Sequence, residues 1–303
     1  MYFNETICGW GDWGKVFQSR AAFAPLVKAV CEREGLPFEP FLNCTPGTNA
    51  VFEAGGRIIK VFAPLESGLN TLPDYQSETF GMQRAEKLGL HAARLLAAGE
   101  LQDRYLFRYL IMQKLPGKSF AQAKKQMDAH RKQEAGKQLR RITDRMNTPC
   151  APWGEPVDVR ERALWGERWA PFSESFNRER RAFTKTLSLE NPVYVHGDLN
   201  EDNLLVDEKG QIAVIDFADS LIAPVCYEQA LIASELFQFE RPFLSGYFGD
   251  CRPEELAELC LSGLLLHDFG GDILRTRLGG IETLHSLDDL RKRLRRRFSE
   301  GLK

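Results

Sequence analysis

The sequence predicts an α+β protein in two lobes, an N-terminal lobe built on an antiparallel sheet and a larger, mainly helical C-terminal lobe. Three observations predict it. Short runs rich in aromatic and β-branched residues crowd residues 38–62 behind one amphipathic helix. Composition shifts at Pro116-Gly117 from strand-like to charged and helical, and beyond Pro224 the periodicity is helical to the end. At 303 residues the chain can bury roughly 75% of its unfolded surface, enough for a full core. With 43% hydrophobic and 27% charged residues it excludes disordered, collagenous and fibrous classes.

Taken in order, Ser19 caps a leading helix over 19–34, where Phe23, Leu26, Val27, Val30 and Cys31 share a face and Gly35 and Pro37 stop the run. Phe38–Cys44, Ala50–Ala54 and Arg57–Phe62 read as a three-stranded antiparallel meander. The turns between them are Thr45-Pro46-Gly47-Thr48-Asn49 and Gly55-Gly56. Gln76–Leu88 reads as a helix and Tyr105–Gln113 as a strand that closes the first lobe, 1–115. In the second lobe, 116–303, Ala135, Leu139, Ile142 and Met146 form a helical stripe within the charged segment 119–147. Residues 149–183 hold three of the five tryptophans, Trp153, Trp165 and Trp169, which read as core packing among short helices or a long loop. Val193–His196, Leu204–Asp207 and Ile212–Phe217 are short strands, the last two joined as a hairpin by Glu208-Lys209-Gly210-Gln211.

The formal charge of -2 hides an imbalance. Residues 216–290 carry fourteen acids against four Lys/Arg, whereas Arg291–Arg297 holds six basic residues in seven positions. That basic run reads as a solvated helix end, so nucleic acid is not an expected partner. The seven scattered cysteines show no paired spacing for disulfides or zinc, and no long apolar run or export signal stands out. A reducing cytoplasm, with no membrane association, is the expected location.

The segment Val195-His196-Gly197-Asp198-Leu199-Asn200-Glu201-Asp202-Asn203-Leu204, followed by Ile215-Asp216-Phe217, carries the chemistry. Asp198 and Asn203 lie on one loop between strands, and the hairpin is the right length to return Asp216 beside Asn203. An amide oxygen and a carboxylate at one point suit Mg²⁺, a hard cation that completes its shell with water and phosphate. Asp198 is then placed to meet a hydroxyl.

This pattern resembles the aminoglycoside phosphotransferase and choline kinase-like family of the protein-kinase-like fold. His-Gly-Asp, four residues, Asn, then a short hairpin ending in Ile-Asp-Phe is matched without a gap by His196, Asp198, Asn203 and Asp216, and the likeness extends more weakly over roughly residues 38–240. The resemblance implies a bilobal protein-kinase-like fold. It also implies that Asp198 orients or deprotonates the acceptor hydroxyl, that Asn203 and Asp216 bind magnesium, and that His196 mainly holds the loop.

Phosphate transfer further requires a cation on the phosphates and a turn whose backbone can approach them. Lys60 sits within the apolar strand Ile58-Ile59-Lys60-Val61-Phe62, where a buried ammonium needs a carboxylate; Glu78 is the expected partner and Glu86 the alternative. The Thr48 hydroxyl and the amides of Gly47 to Asn49 are candidate phosphate ligands. Tyr109 to Gly117 is similar to the family's hinge, which implies that backbone groups at Gln113 and Leu115 bind adenine. ATP is the expected donor, with GTP as the alternative.

The acidic balance of residues 216–290 favours a cationic acceptor, because clustered carboxylates attract amines. Asp219, Glu228, Glu235, Asp268 and Asp272 are the candidate acceptor ligands. Some features depart from the family pattern: Ala218-Asp219 follows Asp216-Phe217 where protein kinases have Gly, Glu228 stands where relatives often carry Asp, and Ile142-Thr143-Asp144 lacks a frequent Leu-His pair. The expected function is ATP-dependent phosphorylation of a hydroxyl on an aminoglycoside or another amino sugar, with antibiotic resistance as its consequence. The alternatives are a metabolic kinase for choline, homoserine or a fructosyl-amine, and a non-catalytic nucleotide-binding pseudokinase. The acceptor hydroxyl and the oligomeric state are not encoded in these patterns.

Overall fold

The computed structural model describes residues 1–45 and 47–300; Pro46, in the first turn of the meander, and residues 301–303, the end of the C-terminal segment, lie outside the described residues. The chain divides into two compact units. One comprises residues 1–116 with 216–218, the other residues 117–215 and those from 219 onward. The sequence places a break at Pro116-Gly117 but gives no sign that the short stretch 216–218 belongs with the first unit.

In the first unit, α1 (Trp10–Val16) and α2 (Arg20–Arg33) precede β1 (Phe41–Asn43), β2 (Ala50–Ala54) and β3 (Arg57–Val61); α3 (Leu72–Lys87), β4 (Leu95–Gln102) and β5 (Leu106–Gln113) follow. The strands form one antiparallel sheet of order β1-β2-β3-β5-β4. Ser19 caps α2 by accepting the Ala22 N–H, and the apolar face of α2 packs Phe23 against Phe3 and Phe52, with ring centroids 5.0 and 5.3 Å away. α3 starts at Leu72 rather than Gln76 because Pro73, in the first turn, presets the helical backbone. Two elements escape the sequence reading. α1 interleaves glycines with aromatic and charged residues and has no repeating stripe. In β4 the run Leu-Leu-Ala-Ala-Gly-Glu-Leu-Gln lacks β-branched residues, although burial alternates along it.

The second unit contains β6 (Lys118–Ser119), α4 (Phe120–Ala123), α5 (Ala129–Met146), α6 (Val159–Trp165), α7 (Glu174–Thr186), β7 (Val193–Val195), β8 (Leu204–Val206), β9 (Ile212–Val214) and β10 (Leu221–Ala223). It continues with α8 (Val225–Leu231), α9 (Arg241–Phe248), α10 (Pro253–Leu266), α11 (Gly270–Ile273) and α12 (Leu287–Glu300). Its strands make two small sheets, β6-β8-β9 and β7-β10. The β8–β9 hairpin is set by Asp207, whose Oδ1 accepts the N–H groups of Lys209 and Gln211, both at 2.8 Å. Its register pairs Leu204 with Val214, so the Ile215 N–H reaches the Asn203 carbonyl at 3.0 Å.

Trp169 is buried beneath the Arg180 guanidinium, Trp153 leans on Tyr194, and Trp165 is 65% exposed, so the three tryptophans do not form one cluster of core residues. The basic run lies on α12, which buries Leu290, Leu294 and Phe298. Arg291 and Arg295 both reach Glu258, Lys292 reaches Asp288, and Arg293 binds the Gly279 and Gly280 carbonyls. No helix among the described residues is long and apolar enough to cross a membrane. The seven cysteines are free thiols.

α5 and α9 pack at glycines. A Cβ on Gly246 would stand 2.1 Å from the Gln133 carbonyl oxygen, and one on Gly136 would stand 2.4 Å from that of Phe243. Backbone faces backbone there, and no flexible side chain can give way. Gly246→Ala is therefore expected to destabilise the protein by about 1–3 kcal/mol in urea unfolding; an unchanged midpoint would show that the helices separate without cost.

Candidate active site

One cluster of candidate residues lies within the first unit. β3 alternates so that Lys60, between Ile59 and Val61, points into the interior, paired across the sheet with Val51 and Leu110. Its Nζ sits 2.5 Å from Glu78 Oε2 on α3 and 2.9 Å from Asp216 Oδ1. Lys60 and Glu78 are buried, whereas Asp216 is about half exposed, at 45%. Glu86 is exposed on α3. Burial by itself would drive the Lys60 ammonium toward neutrality, but the charges of Asp216 and Glu78, together with both hydrogen bonds, outweigh it and hold the amine protonated. Asp216 itself has φ 61°, an unfavourable left-handed backbone that costs on the order of 1–3 kcal/mol and is typical of functional positions.

A second cluster lies within the second unit, on the loop between β7 and β8. His196 is fully buried; its Nδ1 accepts the Asp198 N–H at 3.3 Å, so the ring proton is on Nε2, which donates to the Ile215 carbonyl at 3.0 Å. The imidazole thus fastens the loop to the residue preceding Asp216. Asp198 Oδ2 accepts the side-chain amides of Asn203 at 2.9 Å and Asn200 at 3.0 Å, and the Asn203 amide also reaches the Asp198 carbonyl at 2.8 Å. With its NH₂ committed to Asp198, Asn203 has its carbonyl oxygen as the end able to ligate a metal. Asn200, which the sequence reading did not single out, also accepts the N–H groups of Asp202 and Asn203 through Oδ1. The signal was present as an Asn two residues before an Asp in a loop, the pattern of an Asx turn.

Glu228, on α8, is fully buried and does not present an open carboxylate to an acceptor: its Oε2 accepts the Gly197 N–H at 3.1 Å. Burial pushes its carboxyl up to about 8, with the Asp198 charge adding and the Gly197 and His196 amides opposing. Gly197 has φ +82°, and a Cβ there would stand 2.2 Å from the Asp219 carbonyl oxygen, so the loop requires glycine at this point.

Of the phosphate-loop candidates, Gly47 and Thr48 are exposed, while Asn49 is buried and its Oδ1 accepts the Ala63 N–H at 3.1 Å. The Asn49 side chain thus pins the loop to the end of β3, leaving the backbone and Thr48 as the groups that face outward. The Thr48 carbonyl is held by Trp13 Nε1 at 2.8 Å, a role for α1 that its sequence does not announce. In the hinge, the Gln113 N–H is committed to the Arg94 carbonyl at 2.9 Å; Leu115 lies beyond the last β3–β5 pair, Arg57 with Gln113.

A family model described as a phosphotransferase enzyme family matches residues 53–256, a span that includes Lys60, Glu78, His196, Asp198, Asn203, Asp216 and Glu228 but not Trp13 or the loop before β2. The chain belongs to this family of phosphotransferases. Comparison with curated protein sequences gives no match. Among solved structures the chain is similar to a choline/ethanolamine kinase family protein from Mesorhizobium loti, with 16% identity and TM-score 0.56, covering 91% of this chain and 93% of that one. It is also similar to the choline kinase LicA from Streptococcus pneumoniae, with 16% identity and TM-score 0.55, covering 91% and 98%. The GDP complex of an aminoglycoside 2′-phosphotransferase gives 14% identity and TM-score 0.59, covering 91% and 94%. The fold of this phosphotransferase is thus protein-kinase-like.

Most of the remaining acceptor candidates of the phosphotransferase are held in ion pairs. Glu235 makes a two-pronged ion pair with Arg277, at 2.8 and 2.5 Å. Asp272 is held by Arg168 at 2.5 Å and Arg275 at 2.9 Å. Asp268 lies 3.9 Å from Arg162, and Asp219 is exposed. The net charge of residues 216–290 therefore overstates the negative field, because arginines from outside that stretch fold onto it.

The Glu228 carboxyl gives a pH test. Its folded value lies above the unfolded 4.5, so the folded chain keeps a proton that the unfolded chain has released; this contribution to stability is complete below about 4.5 and is lost as pH rises through about 8. Glu228→Gln keeps a neutral acceptor for Gly197, so its stability relative to wild type is expected to rise steadily between about pH 5 and pH 9 in urea unfolding. A difference that does not change with pH would place the Glu228 proton elsewhere.

Proposed function

We propose that the protein is an ATP-dependent small-molecule O-phosphotransferase that moves the γ-phosphate to a hydroxyl of a cationic acceptor, an aminoglycoside or another amino sugar. The observation that carries this reading is Lys60, a buried ammonium kept charged between Glu78 and Asp216. A buried ion pair is weak evidence for stability, since desolvation offsets much of its attraction, and a strongly perturbed charged cluster is better read as a functional group. GTP is the alternative donor.

Phosphoryl transfer passes through a loose transition state with charge on the peripheral oxygens, so positioning and electrostatics dominate. In this reading Lys60 binds phosphate oxygens and Asp198, aimed by Asn200 and Asn203, orients the acceptor hydroxyl and receives its proton. The backbone around Gly47 to Asn49 supplies further N–H groups, and backbone groups at Gln113 and Leu115 hold the base. The Asn203 carbonyl oxygen and the Asp216 carboxylate are hard oxygen donors that fit magnesium, which when bound neutralises phosphate charge. His196 keeps Asp198 and Ile215 in register.

Acceptor charge is read in this account by the exposed Asp219 and by Asp268, whose Arg162 partner stands at 3.9 Å; Glu235 and Asp272 are held by closer arginines. That pairing favours an acceptor with few positive charges, and so supports a metabolic amino alcohol such as choline as the second reading.

The test is a coupled nucleotide-turnover assay over aminoglycosides, choline, homoserine and fructosyl-amines, with and without Mg²⁺. Magnesium-dependent turnover with one acceptor is expected, falling by about 10²–10⁴-fold in Asp198→Ala. Asp216→Ala is expected to lose turnover and also to bind nucleotide more weakly. Undiminished turnover in Asp198→Ala would remove the assignment; nucleotide binding without turnover for any acceptor would leave a non-catalytic scaffold.

A further inference from the structure

Beyond α8 the chain runs through one π turn, Ile232–Leu236, and then passes two consecutive non-glycine residues in the left-handed region, Gln238 at φ 50° and Phe239 at φ 64°. Helices usually meet a left-handed turn with glycine or asparagine, because other side chains crowd their own backbone there. An aromatic residue in this region is an outlier, and such strain persists only where surrounding contacts over-determine it. They do so here. The Phe239 N–H donates to the Ala233 carbonyl at 3.1 Å, and the Glu240 N–H to that of Phe237 at 2.9 Å. The buried Phe239 ring packs edge-on against Phe298 of α12, with centroids 5.0 Å apart, and Glu240 pairs with Lys132 of α5. Packing thus accounts for Phe239, but it does not explain a glutamine at 238.

The Gln238 side chain supplies the reason. Its Nε2 donates to Glu201 Oε1 at 2.5 Å, across 37 positions of sequence. Glu201 lies on the loop between β7 and β8, inside the turn that Asn200 Oδ1 closes by accepting the Asp202 and Asn203 N–H groups. The side-chain amides of Asn200 and Asn203, on either side of Glu201 in the chain, both bind Asp198 Oδ2. Glu201 Oε1 also receives the Lys124 ammonium, and the Glu201 carbonyl accepts the Ala121 N–H of α4 at 3.4 Å. The segment 121–124 therefore holds Glu201 by backbone and by charge, and Gln238 adds a directional bond from a separate element. We propose that Gln238 is a positioning residue for Asp198: its strained turn aims the amide at Glu201, which steadies the turn that carries Asn200 and Asn203. The catalytic meaning of this inference rests on the phosphotransferase reading above; the contact itself does not.

Gln238→Asn isolates the contact. Asparagine tolerates the left-handed backbone, so the turn stays, and its amide is one carbon too short to reach Glu201. In the full-length protein, hydrogen exchange of the segment 198–204 is expected to accelerate in Gln238→Asn. With Mg·ATP and whichever acceptor is turned over, the variant is expected to lower kcat by about 10- to 100-fold at unchanged KM for ATP. In a Glu201→Ala background the same substitution is expected to change neither exchange nor kcat further, because contacting residues that act as one unit are not additive. Unaltered exchange or unaltered kcat in Gln238→Asn, or a fall in kcat as large with Glu201→Ala as without it, would overturn the proposal. If Gln238→Asn does not fold, Gln238→Gly takes its place with the same expectations, since glycine adopts this backbone without strain and removes the amide. Faster exchange that depends on Glu201, in a protein without turnover for any acceptor, would overturn the phosphotransferase reading and leave this contact standing.

Discussion

A lysine ammonium inside an apolar sheet is the constraint around which the first unit is arranged. Lys60 cannot be buried on β3 without carboxylates nearby, and the chain supplies one from α3 and one from a three-residue stretch a hundred and fifty-six positions further along. Each supporting feature follows from that need. β3 must be central, so β2 and β5 flank it; α3 must lie against the sheet, so Pro73 starts it early and Met82 and Ala85 bury its inner face. Residues 216–218 belong to the first unit although the chain on both sides of them belongs to the second.

The second unit solves a different problem, which is to hold one half-buried carboxylate, Asp198, in a fixed orientation on a loop. It does so with groups that carry little charge. His196 acts as a neutral ring, Asn200 and Asn203 as amides, and Glu228 as a carboxyl whose burial favours its protonated form. Neutral supports hold Asp198, and their bonds go largely to backbone, where geometry varies least.

Much of this was legible in the letters. Lys60 in an apolar run implied a partner carboxylate because burial of a lone ammonium is prohibitive, and an Asn five residues after His-Gly-Asp implied a shared loop because the intervening residues favour turns. Strands with β-branched and aromatic residues stood out, whereas β4, made of Leu, Ala and Gly, did not. The acceptor side was the least legible. Summed charge over residues 216–290 suggested a cationic ligand, but Arg168 and Arg162 come from a distant segment and Glu228 turns inward, facts of tertiary packing that no local pattern carries. Likewise Trp13 could not be tied to Thr48 from spacing alone.

The most direct measurement is the affinity for Mg·ATP of Glu78→Gln by titration calorimetry. With Glu78 neutral, the Lys60 ammonium has Asp216 as its remaining carboxylate and draws on the group proposed to hold the metal. A dissociation constant raised by about 10-fold or more, in a protein that remains folded by circular dichroism, is the predicted result. Wild-type affinity in Glu78→Gln would contradict the claim that the Lys60, Glu78 and Asp216 triad organises the nucleotide site.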